Sequence, residues 1–395
     1  MPPWRRRLHD GLAALPQQRR RRLRSFRSTE GVALLEEPGD APAVPLLDLA
    51  SNDYLGLSRH AAVVGAAAAE LDASGLGAGG SRLVTGTRPV HLQLETALAD
   101  WLGRERVLLF PSGFQANLAA VSALADRHAL VCADRHVHHS LLAGVRASGA
   151  RLVRFAHNDL ADLELRLAQA RARKPDQTRL VLSESLFSME GTSPNVPALA
   201  ALCRRHGALL LLDEAHALGV LGRGGRGLAH GLEGVHLISG TFGKAFGSGG
   251  AFLAGEALLG DWLLQASGAF RYTTALAPPL AAGALAALQQ IEAQPQMATA
   301  LLARAHRWRQ ELAAAGWRRP AGHGPILPLL VGEDGAALAL QQRLEAAGLL
   351  AVAIRPPTVP AGTARLRLVL RQDLPPGSLP RLIEALGPAP SPFPL

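Results

Sequence analysis

Between residues 107 and 254 short apolar runs alternate with segments of helical pattern, and few folds satisfy that alternation. The apolar runs are Val107 to Phe110, Ala129 to Ala133, Leu152 to Phe155, Leu180 to Leu182, Ala208 to Leu212, Val235 to Ile238 and Ala251 to Ala254. Between them lie helical segments over Phe114 to Ala125, Ser140 to Ala147, Leu160 to Arg173 and Pro197 to His206, with Glu256 to Ser267 after the last run. This is the pattern of a parallel sheet covered by helices, an α/β architecture. Residues 1–50 read as a basic, then proline-rich arm and entry segment. Residues 51–280 read as the large domain and 281–395 as a smaller C-terminal domain of mixed strands and helices.

Composition narrows the class. A length of 395 residues with 48% hydrophobic content can bury a large core. The longest uncharged apolar run, Ala275 to Leu288, contains Pro278 and Pro279 and is too short to span a bilayer. Arg5, Arg6 and Arg7 are not followed by an apolar stretch of signal-peptide length, so a cytoplasmic protein with no membrane partner is expected. Cys132 and Cys203 are too few for a disulfide framework or a thiolate zinc site. The net charge of +9 raises the question of nucleic acid, and Arg19 to Arg22 with Arg24 is the densest basic run. No aromatic interleaving or nucleic-acid motif accompanies it, so a solvated arm or a grip on an acidic small molecule or carrier is the better reading. The rival is a basic nucleic-acid-binding protein on an inactive α/β scaffold.

Ligands of an open parallel sheet collect at the carboxyl ends of its strands. Each strand-end here carries something useful: Gly113-Phe114, His136-Val137-His138-His139, Ser183-Glu184 with Ser188, Asp213-Glu-Ala-His216, and Thr241 with Lys244. Of 41 lysines and arginines only Lys174 and Lys244 are lysine. Arginine stays charged, whereas a desolvated lysine becomes a neutral amine able to form a Schiff base. Lys174 reads as a solvated helix end. Lys244, in Ser239 to Gly250, is either a reactive amine or an incidental lysine in a flexible glycine loop. Asp213 follows four leucines, where a carboxylate needs a cationic partner, although a loop or N-cap aspartate is also compatible. Gly113-Phe114 offers backbone N–H groups to a phosphate, or is simply a capped helix. The histidine cluster lacks the companions of a metal site, and no metal is expected. Gly222 to Gly227 lacks the lysine and hydroxyl of a phosphate loop and reads as a turn.

Six ordered stretches carry a family resemblance: Ser51-Asn-Asp-Tyr-Leu-Gly56, Gly79-Gly-Ser-Arg82, His91-x-x-Leu-Glu95, Phe187-Ser-Met-Glu-Gly191, Asp213-Glu-Ala-His216 and Thr241-Phe-Gly-Lys244. Over roughly 46–370 the chain resembles the α-oxoamine synthases, transferases of fold type I that use pyridoxal 5'-phosphate. The resemblance implies that Lys244 holds the cofactor covalently, Asp213 pairs with its ring nitrogen, His138 stacks on the ring and His216 hydrogen-bonds the ring hydroxyl. It assigns Gly113, Phe114, Ser188 and Thr241 to cofactor binding, chiefly around the phosphate, with Thr273 and Thr274 supplied across a homodimer of shared sites. Asn52 and Arg367 would position the amino-acid carboxylate, Thr358 would lie near the acyl substrate, and Arg20 or Arg21 would contact the acyl chain. Ile354 to Arg367 is similar to the branch that condenses L-alanine with a pimeloyl thioester, on coenzyme A or an acyl carrier protein, toward biotin. The nearest alternative implied is condensation of glycine with acetyl-coenzyme A.

Overall fold

The computed structural model describes residues 1–16, 19–29, 31–36 and 42–389. Part of the proline-rich entry segment, residues 37–41, and the end of the proline-rich tail, residues 390–395, lie outside the described residues. The chain divides into two compact units. One comprises Met1–Ser51, Arg304–Ala321 and Ile326–Leu395; the other comprises Asn52–Ala303 and Gly322–Pro325.

In the first unit, β1 (Ser25–Ser28) pairs antiparallel with β2 (Val32–Glu36), and β2 with β3 (Val44–Asp48). The basic arm therefore contains a hairpin that its charges concealed, since all four β1 residues face solvent. The arginine run is also pinned rather than simply solvated: Arg19 pairs with Asp334 at 3.2 Å and Arg24 with Glu345 at 2.6 Å. Such partners, more than three hundred residues away, leave no trace in local sequence.

The second unit holds the sheet that the alternating pattern predicts. Its strands are β4 (Arg106–Phe110), β5 (Leu130–Asp134), β6 (Arg151–Phe155), β7 (Arg179–Glu184), β8 (Leu209–Asp213), β9 (Leu237–Thr241) and β10 (Ala251–Gly255), ordered β4-β10-β9-β8-β7-β5-β6. Neighbours from β9 to β6 run parallel, and β10 alone is antiparallel to both strands beside it. Strands β5 and β7 are buried along their whole length and β8 nearly so, which is why they read as unbroken apolar runs. The helices Gly113–Leu124 and His139–Ser148 approach closely at Gly144, where a Cβ would lie 2.7 Å from that of Val121. The same two helices meet again where Asn117 Nδ2 donates to Ser140 Oγ at 2.9 Å.

The first unit is completed by β11 (Ile326–Gly332), β12 (Leu349–Leu350), β13 (Val352–Ile354) and β14 (Ala364–Val369). Strand β12 extends the β1-β2-β3 sheet, while β11-β14-β13 form a sheet of their own. Buried Arg371 ties this unit together, meeting Asp48 at 2.7 Å and Asp373 at 2.6 and 2.9 Å. The other oxygen of Asp48 accepts from Ala50 N and Ser51 N. Asp48→Ala leaves the guanidinium partly uncompensated in the interior and is expected to lower unfolding stability by about 3 kcal/mol, read by urea titration.

In the second unit Glu214 is fully buried, and burial pushes its carboxyl up from 4.5 to about 7. Hydrogen bonds from Ser185, Ala229 and Leu228 and the charge of Arg104 oppose that rise. Because the folded value exceeds the unfolded one, the associated stability is present in full below pH 4.5 and lost as pH rises through about 7. Unfolding free energies at pH 4.5 and pH 8 should therefore fall by about 3 kcal/mol more in wild type than in Glu214→Gln, which does not titrate.

Candidate active site

Five strand ends meet along one edge of the large sheet. Asp213 closes β8 beside Glu184, which closes β7 in register with it. Asp213 Oδ2 accepts from Asn117 Nδ2 at 2.7 Å and Oδ1 from Ala215 N at 2.9 Å. Glu184 accepts from His138 N at 2.5 Å. Burial, first, and the charge of Asp213, second, raise the Glu184 carboxyl well above the usual range, outweighing the His138 N–H and the charge of Lys244. The edge thus sets two carboxyl groups side by side, with that of Glu184 pushed toward its protonated form.

His138 caps the helix His139–Ser148, with its Nδ1 2.7 Å from Ser140 Oγ. The surrounding protein lowers its pKa by desolvation despite the favourable charge of Asp213; Lys244 and His139 push the same way as burial. His138 is therefore a neutral imidazole near neutral pH. Lys244 is half-buried three residues beyond the end of β9, and its charge bears on both His138 and Glu184. Thr241, the last residue of β9, donates from Oγ1 to Gly250 O at 2.9 Å and accepts from Gly243 N at 3.3 Å.

Gly113 opens its helix behind the Ser112 cap, whose Oγ accepts from Gln115 N at 3.3 Å. A Cβ on Gly113 would point at Thr241, 3.7 Å away, so these two residues from different strand ends face each other. Phe114 is exposed, with its ring 6.4 Å from that of His139. Ser188 is half-buried in the loop after β7. His216 is buried, its Nδ1 2.6 Å from the hydroxyl of Tyr54, and that hydroxyl lies 3.3 Å from Asn52 Oδ1. This edge accordingly assembles Gly113, His138, Asp213, His216, Thr241 and Lys244.

Other expected residues lie elsewhere. Thr273 and Thr274 line a separate surface pocket of about 480 Å³ with Leu83, Val84 and Tyr272, whose side chains are exposed. Arg20, Arg21, Thr358 and Arg367 belong to the first unit. Arg20, Arg21 and Thr358 line a cavity of about 1000 Å³ there, and Arg21 donates to Thr358 Oγ1 at 3.1 Å. Arg367 is buried in β14 opposite Pro328 and Val352. The apolar part of that cavity comes from Leu338, Leu350, Val352 and Ile354.

Sequence reasoning missed Asn117 and Tyr54 as members of the site, and it placed Glu184 at a strand end without giving it a role. Asn117 stands four residues after Gly113, one turn along the same helix face, and that spacing could have drawn attention to it. It also donates to Ser140 Oγ at 2.9 Å, and its buried Oδ1 has no hydrogen-bond partner. Lys174 is the exposed C-cap of the helix Leu160–Arg173. Gly222 to Gly227 is a tight turn around a single 3-10 turn, Arg223–Gly225. Among the described residues no group of three or more His, Cys, Asp or Glu is placed to hold a metal ion, and no helix is long and apolar enough to cross a membrane.

Chemically the edge offers an amine, an acceptor for a protonated ring nitrogen, a flat neutral ring, and a helix N-terminus with hydroxyls for a phosphate. A family model described as aminotransferase class I and II matches residues 44–386. The 8-amino-7-oxononanoate synthase of Gluconacetobacter diazotrophicus is 44% identical over 348 residues, spanning 86% of this chain and 87% of its own. A high-resolution structure of SPT with PLP as an internal aldimine superposes with a TM-score of 0.86 at 27% identity, over 97% of this chain and 94% of that one. The crystal structure of 8-amino-7-oxononanoate synthase from Francisella tularensis gives a TM-score of 0.73 at 26% identity, over 86% and 96% of the two chains. The fold and the site thus place this chain in the class I and II aminotransferase family, in the group formed with the 8-amino-7-oxononanoate synthases.

Proposed function

We propose that this protein uses pyridoxal 5'-phosphate bound at Lys244 to condense L-alanine with a pimeloyl thioester, giving 8-amino-7-oxononanoate, carbon dioxide and free thiol in biotin synthesis. The observation that carries the reading is the meeting of Lys244, Asp213 and His138 at one sheet edge with the Gly113 helix terminus. Each part of the cofactor finds a suitable group. Asp213 accepts from Asn117 Nδ2 on one oxygen and from Ala215 N on the other, which leaves lone pairs for a ring N–H. The Gly113 terminus offers N–H donors of the kind a phosphate takes, and the helix dipole favours its charge, while Thr241, whose Oγ1 donates to Gly250 O, and Ser188 are proposed for the same end of the cofactor. Phe114 flanks that terminus.

When bound, pyridoxal phosphate supplies an electron sink for the pair left at the substrate α-carbon. The protein's own groups do the rest. Asp213, steadied by Asn117 Nδ2, would keep the ring nitrogen protonated. Neutral His138 would lie against the ring without adding a competing positive charge. His216, oriented through Nδ1 by Tyr54, would hydrogen-bond the ring hydroxyl. Lys244 Nζ, as a neutral amine, takes the α-proton of alanine and returns a proton to the product. Asn52, whose Oδ1 lies 3.3 Å from the Tyr54 hydroxyl, would hold the carboxylate of alanine.

The acyl chain belongs with the apolar cavity of the first unit, where Arg20 or Arg21 and Thr358 meet its polar end. The thiol is carried by coenzyme A or an acyl carrier protein, and the arginine-rich arm suits the acidity of either. A homodimer lends Thr273 and Thr274 to the neighbouring site, a reading supported by the exposed apolar side chains around them. The buried, unbonded Cys132 and Cys203 suit a reducing cytoplasm.

The purified protein, given L-alanine and pimeloyl-coenzyme A or the pimeloyl carrier protein, should release carbon dioxide and a product with the mass of 8-amino-7-oxononanoate. Glycine with acetyl-coenzyme A should be a poor pair; if it is turned over faster, the substrate assignment is wrong. Lys244→Arg keeps the charge and loses the amine, so product formation should fall by about a thousandfold or more.

A further inference from the structure

Among the buried acids that would not touch the cofactor, Glu214, directly after Asp213, adjoins a motif that is also without work, the glycine-rich turn Gly219 to Gly227. Glu214 is fully buried, and a single oxygen takes three donors: Ser185 Oγ at 2.6 Å, Leu228 N at 2.6 Å and Ala229 N at 3.0 Å. Its other oxygen has no partner and lies against Gly227, where a Cβ would come within 2.0 Å of it. Arg104 braces the same segment from outside, donating to Ala229 O at 3.2 Å and Val235 O at 2.7 Å. Ser185, in turn, donates its N–H to Asp213 O at 2.9 Å. One carboxyl therefore joins the end of β7, the end of β8 and the returning arm of the turn.

The turn itself has almost no room to deform. Gly219 N donates to Gly225 O at 2.7 Å and Gly227 N to Leu221 O at 2.9 Å. A Cβ on Gly222 would lie 1.9 Å from Gly227 O. Gly219, Gly222, Gly225 and Gly227 have φ between +72 and +82, the left-handed region where a side chain is strained. On its far side the turn meets the lysine loop: a Cβ on Gly219 would fall 2.7 Å from the Cβ of Ala245, the residue after Lys244. A continuous packed path thus runs from Asp213 through Glu214 and the turn to the neighbour of Lys244.

We infer that Glu214 and the turn Gly219–Gly227 act as a strut that fixes the spacing between Lys244 and Asp213, making Glu214 a positioning residue for the cofactor. The inference rests on the reading that Lys244 and Asp213 flank pyridoxal phosphate. A rigid strut has value there because the amine must stay bonded to a ring whose nitrogen stays on the carboxylate, and misplacement of about 1 Å can cost about a hundredfold in rate.

The test uses the full-length protein, stripped of cofactor and titrated with pyridoxal phosphate while the visible absorption band is followed as a function of pH. Glu214→Ala should weaken cofactor binding about tenfold or more and move the pH midpoint of the band by about half a unit or more. Glu214→Gln, which keeps an acceptor for the three donors, should stay within about threefold of wild type. Ala245→Gly, which removes the methyl packed on Gly219 without straining the turn, should behave like Glu214→Ala. It decides if Glu214→Ala does not fold. Variants that unfold at lower temperature yet keep wild-type affinity and band midpoint overturn the strut. A wild type that binds no pyridoxal phosphate overturns the cofactor reading and the strut with it, whereas wild-type binding with indifferent variants overturns the strut alone.

Discussion

Two carboxyl groups end adjacent buried strands, and the rest of the site answers to them. Glu184 and Asp213 are register partners at the point where β7 and β8 leave the core. Two desolvated carboxylates at that spacing cannot both stay charged without compensation, so burial and mutual repulsion raise Glu184 and favour its neutral form. Asp213 collects Asn117 Nδ2 and Ala215 N instead. A buried carboxyl with one donor on each oxygen is an attractive seat for a cation, and Lys244 follows the end of the neighbouring strand, β9. The local polarity, more than any single residue, explains why amine, acid and neutral histidine occur together.

The glycines around this edge serve approach rather than flexibility. Gly144 lets two helices touch so that Asn117 and Ser140 can reach each other. Gly247 brings the lysine loop against the backbone of Ser58, where a Cβ would lie 2.2 Å from the amide nitrogen. Packing at these contacts leaves no space for even one methyl group, so the lysine loop is clamped from both sides by Ser58 and Gly219.

The sheet was readable because its central strands are buried on both faces and appear as plain runs of leucine, valine and alanine. Direction was not, since the apolar run of β10 looks the same whichever way it travels. The hairpin of β1 and β2 escaped notice because charged Arg27 and Glu36 sit on it and pair with each other at 2.7 Å. Site residues at strand ends, such as Asp213 and Thr241, stood out because polarity breaks sharply there. Asn117 and Tyr54 did not, because each lies within an element or motif whose local pattern explains it equally well. The register of the arginine arm depended on Thr358, Asp334 and Glu345, which only the folded unit brings near.

The presence of only two lysines makes the central claim unusually easy to examine. Reduction of the pyridoxal phosphate-loaded protein with borohydride fixes the cofactor covalently to whichever amine holds it, and peptide mass mapping then locates it. The account predicts a phosphopyridoxyl group on Lys244 in near-stoichiometric amount, with Lys174 and the N-terminus unlabelled. Labelling chiefly at Lys174 or the N-terminal amine, or no specific labelling at all, would contradict it.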